Sequence, residues 1–167
     1  MKTAICPGSF DPVTLGHIDI IERAASIFDR TVVLVMQNNR KAYNFTPEER
    51  VRMLRKTTAG LPSVTVEWAD RLLAEVCAGM GDAVIVKGLR AVSDFEMEFQ
   101  MALMNRKLNP ALDTLFLTAS ERFQYLSSSV VKEICSYGGD VREFIPEEIH
   151  DEVRLRLAGA NIEAGRA

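Results

Sequence analysis

Short runs of apolar, often β-branched residues alternate along this chain with stretches in which apolar residues recur at helical spacing. The strand-like runs fall at residues 3–6, 31–36, 63–67, 83–86 and 114–117. The helical patterns fall at residues 17–28, 47–60, 72–78, 92–108 and 128–137, and from Pro146 onwards. The runs at residues 31–36 and 83–86 lack the polar alternation of a strand with one face in water, which predicts strands buried on both faces.

This alternation predicts an α/β domain with a doubly wound, five-stranded, mostly parallel sheet of Rossmann-like type. One helix start is marked strongly, since Thr46 can be the N-cap, Pro47 the first helical residue and Glu49 the partner in a capping box. Ligands of such sheets bind at the carboxyl ends of the strands. The loops expected to carry chemistry are therefore residues 6–16, 37–45, 87–91 and 119–129.

The chain has 167 residues, the size of one domain, which we assign to residues 1–158. Residues 159–167 have little apolar content, and we expect them to fray. Lys and Arg number 20 and Asp and Glu 23, so the formal charge is −3. That balance argues against a nucleic-acid partner, but it leaves room for a local cluster of cations that binds a small anion.

The three cysteines, Cys6, Cys77 and Cys135, are widely spaced and form no CxxC motif. This argues against a disulfide framework or a zinc ribbon and predicts buried thiols in a reducing compartment. The N-terminal segment reaches Pro7-Gly8 before the apolar part of a signal peptide can form. No stretch approaches the roughly 18 apolar residues of a membrane span, so we expect a cytoplasmic protein without a membrane partner.

The loop after the first strand is a candidate phosphate site. Gly8 allows the backbone to pass close to a ligand, and Ser9 offers a hydroxyl and an N–H group. Gly16 leads into the helix that His17 begins, and a helix N-terminus binds anions through its free N–H groups. The loop is neither a Walker loop nor a GxGxxG motif. His17 can add a donor here, or it can merely cap the helix or pack beside it.

Residues 8–17, GSFDPVTLGH, resemble the G[ST]FDPxTxGH signature of the nucleotidyltransferase superfamily. Further segments resemble one family within it, the bacterial phosphopantetheine adenylyltransferases. These are NRK at residues 39–41, FTPEER at 45–50, GLRAVSDFE at 88–96 and YLSSS at 125–129. The segments have the family's order and spacing over roughly residues 1–150.

The resemblance implies a nucleotidyltransferase fold and transfer of AMP from ATP to 4′-phosphopantetheine, giving dephospho-coenzyme A and pyrophosphate. It also implies a homohexamer. The acceptor is already a phosphate oxyanion, so the reaction needs positioning and charge neutralisation rather than a strong base. Mg²⁺ is expected on the triphosphate, held by phosphates and water, and we assign no residue as a metal ligand. Asp11 fits a structural turn as well as a place near that metal.

The catalytic positions implied by the resemblance are His17 on the α-phosphate, Lys41 on the acceptor phosphate and Arg90 as a planar fork for phosphate. Together with Lys87, and with His17 if it is protonated, Lys41 and Arg90 would form a cluster of cations at the strand ends. The implied acceptor contacts are Ser9, Lys41, Leu73 and Lys87; the family commonly has Arg at position 87, and Leu73 fits a core equally well. The implied ATP contacts are Ser9, Phe10, His17, Gly88, Leu89, Arg90, Glu98, Phe123, Gln124, Tyr125, Leu126, Ser127, Ser128 and Ser129.

Several alternatives stay open at this point. The three serines at 127–129 can cradle phosphates, or one can simply cap the helix that follows. The Met- and Phe-rich stretch of residues 95–104 fits a buried helix or a subunit contact. The acceptor can be a different phosphate, such as nicotinamide mononucleotide or glycerol phosphate, although residues 88–96 and 125–129 argue against it. A non-catalytic nucleotide-binding module would not need Ser9, His17, Lys41 and Arg90 together.

Overall fold

Five parallel strands form the centre of the molecule in a computed structural model, which describes residues 2–38 and 40–164, with side chains to residue 158. The strands are β1 (Thr3–Gly8), β2 (Arg30–Met36), β3 (Val64–Ala69), β4 (Ala83–Leu89) and β5 (Asp113–Thr118). Their order is β3-β2-β1-β4-β5, and every neighbouring pair is parallel. The direction of winding therefore reverses between β1 and β4, which confirms the doubly wound sheet.

Within the described residues, six helices and two short 3₁₀ turns accompany the strands. The helices are α1 (Leu15–Ile27), α2 (Pro47–Thr57), α3 (Leu73–Ala78), α4 (Val92–Leu108), α5 (Ser128–Ser136) and α6 (His150–Ala164). The turns cover Glu121–Phe123 and Glu147–Ile149. Helix α6 extends into the stretch expected to fray. Residues 165–167 and Asn39 lie outside the described residues, so the domain boundary and the fraying stay predictions.

The strands contribute to two apolar clusters, one on each face of the sheet. Ala4 and Cys6 of β1 belong to the larger cluster, which α1, α2, α5 and α6 cover. Ile5, between them, belongs to the smaller cluster with Leu34 and residues of α3. Successive strand side chains point to opposite faces, so burial of both faces explains the continuous apolar runs. All three cysteines are buried free thiols, as predicted.

The carboxylate of Asp11 ties the loop after β1 to the loop after β2. Its side chain is buried and accepts hydrogen bonds from the backbone N–H groups of Asn44 and Phe45, each at 3.0 Å. Lys132 of α5 donates to it at 3.1 Å. Because these donors already engage both oxygens of the buried carboxylate, the structure favours the structural role for Asp11 over a place near a metal.

Packing within the protein requires glycine at position 8, which the sequence suggested for close approach to a ligand, and at position 88, which the resemblance places at the ATP. A Cβ atom on Gly88 would lie 2.7 Å from Cγ1 of Ile20 in α1. A Cβ atom on Gly8 would lie 2.9 Å from the ring of Phe10. Both distances are too short for carbon atoms, so these glycines let α1 pack against β4 and let the Phe10 ring fold over the end of β1.

Helix α4 differs from the others because Asn105 is its single buried residue. The hypothesis of a buried core helix is therefore wrong. Large apolar side chains of this helix are exposed: Val92, Phe95, Met97, Phe99, Met101, Leu103, Met104 and Leu108. Phe95 stacks on Phe99 and packs edge-on against Phe116 of β5, which joins this apolar surface to the edge of the sheet. In the described part of the chain, no helix has the length and apolar character that crossing a membrane requires.

Candidate active site

A cavity of about 360 Å³ opens at the carboxyl ends of β1 and β4, where the strand order reverses. This is where open α/β sheets bind their ligands. Its walls come from the loop after β1, the start of α1, the loop after β2, the end of β4, and the starts of α4 and α5. The predicted site residues that line it are Ser9, Phe10, His17, Lys41, Lys87, Gly88, Arg90, Glu98, Phe123, Leu126, Ser127 and Ser128.

Five predicted site residues are not part of this lining. Leu89, Gln124, Tyr125 and Ser129 are chain neighbours of lining residues. Leu73 lies on the other face of the sheet, where it packs against the smaller apolar cluster. The geometry therefore favours a core role for Leu73, and the ligand contacts assigned to all five stay predictions.

His17 sits in the first turn of α1 and completes a capping box with Thr14, the N-cap residue. The backbone N–H of Thr14 donates to Nδ1 of His17 at 3.0 Å, and the Thr14 hydroxyl oxygen accepts from the His17 N–H at 3.3 Å. A peptide N–H can only donate, so Nδ1 carries no proton and the neutral ring holds its proton on Nε2. The two roles considered for His17 are thus compatible: one ring nitrogen caps the helix and the other is a donor.

The environment keeps the His17 imidazole neutral. Burial, followed by the nearby charges of Arg90 and Lys87, lowers the pKa of His17 from 6.5 to about 4. The ring of Phe10 packs edge-on against it with the ring centroids 5.0 Å apart. His17 therefore does not join the cations of the cavity at neutral pH; it offers an uncharged, fixed N–H donor.

Two of the cavity's cations are already paired with carboxylates of α4. Lys87 Nζ lies 3.0 Å from Oε1 of Glu98. Arg90 Nε donates to Oδ2 of Asp94 at 2.9 Å, and its Nη1 donates to the Leu126 carbonyl at 2.9 Å. Asp94 and Glu98 are four residues apart and share one side of the helix. An incoming phosphate would have to exchange with these carboxylates to bind either cation.

Lys41 differs from these cations. It lies on the exposed loop after β2, and no carboxylate of the described residues is within 4.0 Å of its ammonium group. Its backbone N–H donates to the Asn38 carbonyl at 2.9 Å, which holds the turn but leaves the side chain free. Lys41 can therefore meet an anion without first giving up a partner.

The serine segment both caps α5 and leaves donors for a ligand. The Ser127 hydroxyl accepts from the Val130 N–H at 3.1 Å, and the Ser128 hydroxyl donates to the Pro12 carbonyl at 2.7 Å. The backbone N–H groups of Ser128 and Ser129 have no hydrogen-bond partner in the described part of the chain. They are first-turn donors, the kind that binds phosphate at helix N-termini.

Sequence reasoning missed two functional partners in the cavity wall. Asp94 was within the motif at residues 88–96 but received no role; its spacing of four residues from Arg90 could have indicated the pair. Thr14 lies in the motif at residues 8–17, and no role was assigned to it either. A Thr three residues before a side chain that can accept a hydrogen bond resembles the pattern of a capping box.

The described residues include no group of three or more His, Cys, Asp or Glu side chains placed to hold a metal ion. The two carboxylates that line the cavity, Asp94 and Glu98, are engaged by Arg90 and Lys87. The donor set of this cavity therefore suits phosphate groups rather than a bare cation.

The donors of this cavity, at the switch point of an all-parallel sheet, suit a ligand that carries phosphate groups, and the similarity to known proteins defines the class of this protein as a nucleotidyltransferase. The chain belongs to the cytidylyltransferase-like family, whose sequence profile matches residues 5–134. A relative from Caldanaerobacter subterraneus subsp. tengcongensis, named phosphopantetheine adenylyltransferase, is 50% identical over 153 residues. The match covers 92% of this chain and 96% of the relative.

Among solved structures, one from Vibrio parahaemolyticus, provisionally assigned as a nicotinate-nucleotide adenylyltransferase, superposes with a TM-score of 0.65. The superposition covers 93% of this chain and 95% of the other, with 18% sequence identity. At that identity the likeness concerns the fold, and it confirms the Rossmann-like nucleotidyltransferase fold expected from the sequence.

Proposed function

We propose that this chain transfers AMP from ATP to 4′-phosphopantetheine and releases pyrophosphate, giving dephospho-coenzyme A. The observation that carries the proposal is the 50% identity, over nearly the whole chain, to a relative named for this activity. The cavity supports the proposal, because a single cavity is lined by donors from several of the segments that resemble the family.

The proposed reaction is a direct displacement at the α-phosphorus of ATP. An oxygen of the acceptor phosphate forms the new P–O bond, the bond to the β-phosphate oxygen breaks, and pyrophosphate leaves with that electron pair. The acceptor oxygen carries no proton, so no residue has to act as a general base. Catalysis then consists of alignment and of stabilising the charge on the α-phosphate oxygens.

The side chains divide this task by position. His17 Nε2–H donates to the α-phosphate, where its fixed orientation makes it effective without reorganisation. Lys41 binds the acceptor phosphate, and the free N–H groups at the start of α5 bind the β- and γ-phosphates. Arg90 and Lys87 bind phosphate in exchange for Asp94 and Glu98. Mg²⁺ enters as part of the substrate, on the triphosphate.

The acceptor is tested by incubating the protein with ATP, Mg²⁺ and one acceptor at a time, and by measuring pyrophosphate. We expect release with 4′-phosphopantetheine and at most background release with nicotinamide mononucleotide or glycerol phosphate. Release with only one of those two would replace the acceptor. No release with any acceptor, together with measurable ATP binding, would favour a non-catalytic nucleotide-binding module.

We also propose that the chain assembles as a homohexamer, and the exposed apolar side chains of α4 support an assembly. A monomer in water rarely leaves so much contiguous apolar surface uncovered. Light scattering on the purified protein should give six times the 18.6 kDa chain mass. Met101→Glu, which places a charge on an α4 side chain that is 54% exposed, should lower that mass. A wild-type mass of one chain would refute the assembly.

We propose a cytoplasmic setting with ATP and 4′-phosphopantetheine as the partners. Buried, unpaired thiols at all three cysteines support a reducing compartment. The net charge of −3 supports the absence of a nucleic-acid partner, since proteins that bind nucleic acid usually carry an excess of basic residues.

A further inference from the structure

A fully buried arginine connects the ends of β1 and β2 beside the cavity. Arg50, on α2, has no exposed side-chain surface. Its Nη1 donates to the carbonyl of Ser9 at 2.8 Å and to the carbonyl of Met36 at 3.3 Å. Its Nε donates to the carbonyl of Thr46 at 3.3 Å. One guanidinium group therefore holds the loop after β1 against the end of β2.

The remaining groups that contact this guanidinium group directly are uncharged as well, and the charges of Asp11 and Glu48 act on it from further away. Nη2 donates to the side-chain oxygen of Gln37, and the Tyr43 ring lies with its centroid 4.2 Å from the guanidinium carbon. Within the described residues, no carboxylate lies within 4.0 Å of Arg50. Burying a cation without a carboxylate in direct contact is costly, and an apolar side chain would fill the same volume more cheaply. The arginine is therefore needed for its fixed fork of donors.

The peptide between Ser9 and Phe10 is what this fork orients. The peptide bond is trans, so its carbonyl and its N–H point in opposite directions. Ser9 and Phe10 line the cavity and Arg50 does not, so the bonded carbonyl points away from the cavity and the Phe10 N–H points towards it. The Phe10 N–H has no hydrogen-bond partner within the described residues, although Phe10 is only 4% exposed.

The conformation of Phe10 adds to this. Its φ of 51° lies in the left-handed region, which costs a residue with a side chain free energy. Such a conformation persists only where its surroundings hold it. The Phe10 ring is held between Gly8 and the imidazole of His17, and the preceding carbonyl is held by Arg50.

We propose that Arg50 is a positioning residue of the transfer reaction, which aims the Phe10 N–H at a phosphate of the nucleotide by fixing the Ser9–Phe10 peptide. The Phe10 N–H is then a preorganised donor for the negative charge that develops on the phosphate. Because the group is already oriented, little free energy is spent on reorganisation during the reaction. The identity of that phosphate rests on the proposed function; the orientation of the peptide does not.

The test compares Arg50→Lys with Arg55→Lys, a matched control on the same helix. Lysine keeps the charge but loses the planar fork. Like Arg50, Arg55 donates to a strand carbonyl, that of Val66 at 3.1 Å. Arg50 and Arg55 both lie outside the lining of the cavity. Per folded molecule, Arg50→Lys should lower kcat for pyrophosphate release by about tenfold or more, since losing one such donor costs about 100-fold to 1,000-fold. Arg55→Lys should leave kcat and both KM values unchanged.

A merely structural role would predict a lower thermal midpoint for Arg50→Lys with kcat per folded molecule equal to that of Arg55→Lys, and this result would overturn the proposal. Should Arg50→Lys not fold, Gln37→Leu removes one anchor of the guanidinium group and leaves the group in place. That variant should lower kcat by about threefold, because a donor loses part of its effect when it is no longer held in line. Unchanged kcat in Gln37→Leu would also overturn the proposal.

Calorimetric titration with ATP separates this proposal from the proposed function. If the wild-type protein releases no pyrophosphate with any acceptor, the proposed function fails by itself. ATP binding then decides the role of Arg50. Binding that is tenfold weaker in Arg50→Lys than in Arg55→Lys supports the proposal, and equal binding in the two variants overturns it.

Discussion

His17→Ala should lower kcat for pyrophosphate release by about 100-fold or more, because one fixed donor to the transition state is lost. The same substitution removes the acceptor of the Thr14 N–H at the start of α1. It should therefore also cost about 1 kcal/mol of stability, the usual value of a helix cap. Steady-state kinetics and urea unfolding measure the two effects separately.

His17→Gln is the control that divides capping from catalysis. Glutamine at this position keeps a capping box, since its side-chain oxygen can accept from the Thr14 N–H. Stability should then stay near that of the wild type, while kcat stays well below it, because the amide donor does not occupy the position of Nε2. A His17→Ala variant that turns over at the wild-type rate would remove His17 from the mechanism.

His17→Gln can also be tested through the dependence of stability on pH. The pKa of His17 falls from 6.5 in the unfolded chain to about 4 in the folded one, mainly because of burial. Between pH 6.5 and about 4, only the unfolded chain binds this proton, and its binding favours unfolding. The contribution of neutral His17 to the free energy of unfolding is therefore complete above pH 6.5 and is lost as the pH falls towards about 4. His17→Gln should flatten this part of the curve of unfolding free energy against pH.

Asp11→Ala should lower the free energy of unfolding by about 2–3 kcal/mol, the usual cost of leaving buried backbone donors without an acceptor. The substitution leaves the backbone N–H groups of Asn44 and Phe45 without an acceptor and Lys132 without its carboxylate. Urea unfolding measures the loss. The Mg²⁺ concentration that gives half-maximal activity should not change, because Asp11 does not line the cavity.

Asp140→Ala supplies the matched comparison for this prediction. Asp140 also pairs with a basic side chain, Arg142 at 2.9 Å, but its own side chain is 59% exposed. Exposed ion pairs contribute at most about 1 kcal/mol, so this variant should unfold almost as the wild type does. Equal losses in the two variants, or an altered Mg²⁺ requirement in Asp11→Ala alone, would contradict the structural role assigned to Asp11.

The elements of this fold were predictable because their signals are local. Strands buried on both faces require continuous apolar runs, and such runs lie where β1, β2 and β4 lie. The capping box at the start of α2 formed as predicted, since Thr46 and Glu49 exchange hydrogen bonds only three residues apart. The Met- and Phe-rich stretch shows the limit of such signals, because composition does not tell a buried helix from an exposed one.

Most of the candidate site could also be predicted, since the carboxyl ends of parallel strands meet at one edge of the sheet. The partners of its side chains could not. Asp11 bonds to residues more than thirty positions away, and Arg50 reaches Ser9 across 41 positions. Such contacts depend on how α2 and the loops pack, and a linear pattern of residue types does not contain that information.

The amino-acid sequence by itself determined the class of fold, the loops that line the cavity and most of the side chains that meet there. Periodicity, turn residues and a matching motif are properties of short segments, so they can be recognised in the sequence alone. Only the tertiary structure decided which nitrogen of His17 holds the proton, which cations are already paired, and why Arg50 is buried. These depend on distances between distant segments, because a proton, an ion pair and a buried charge are each set by the atoms around them.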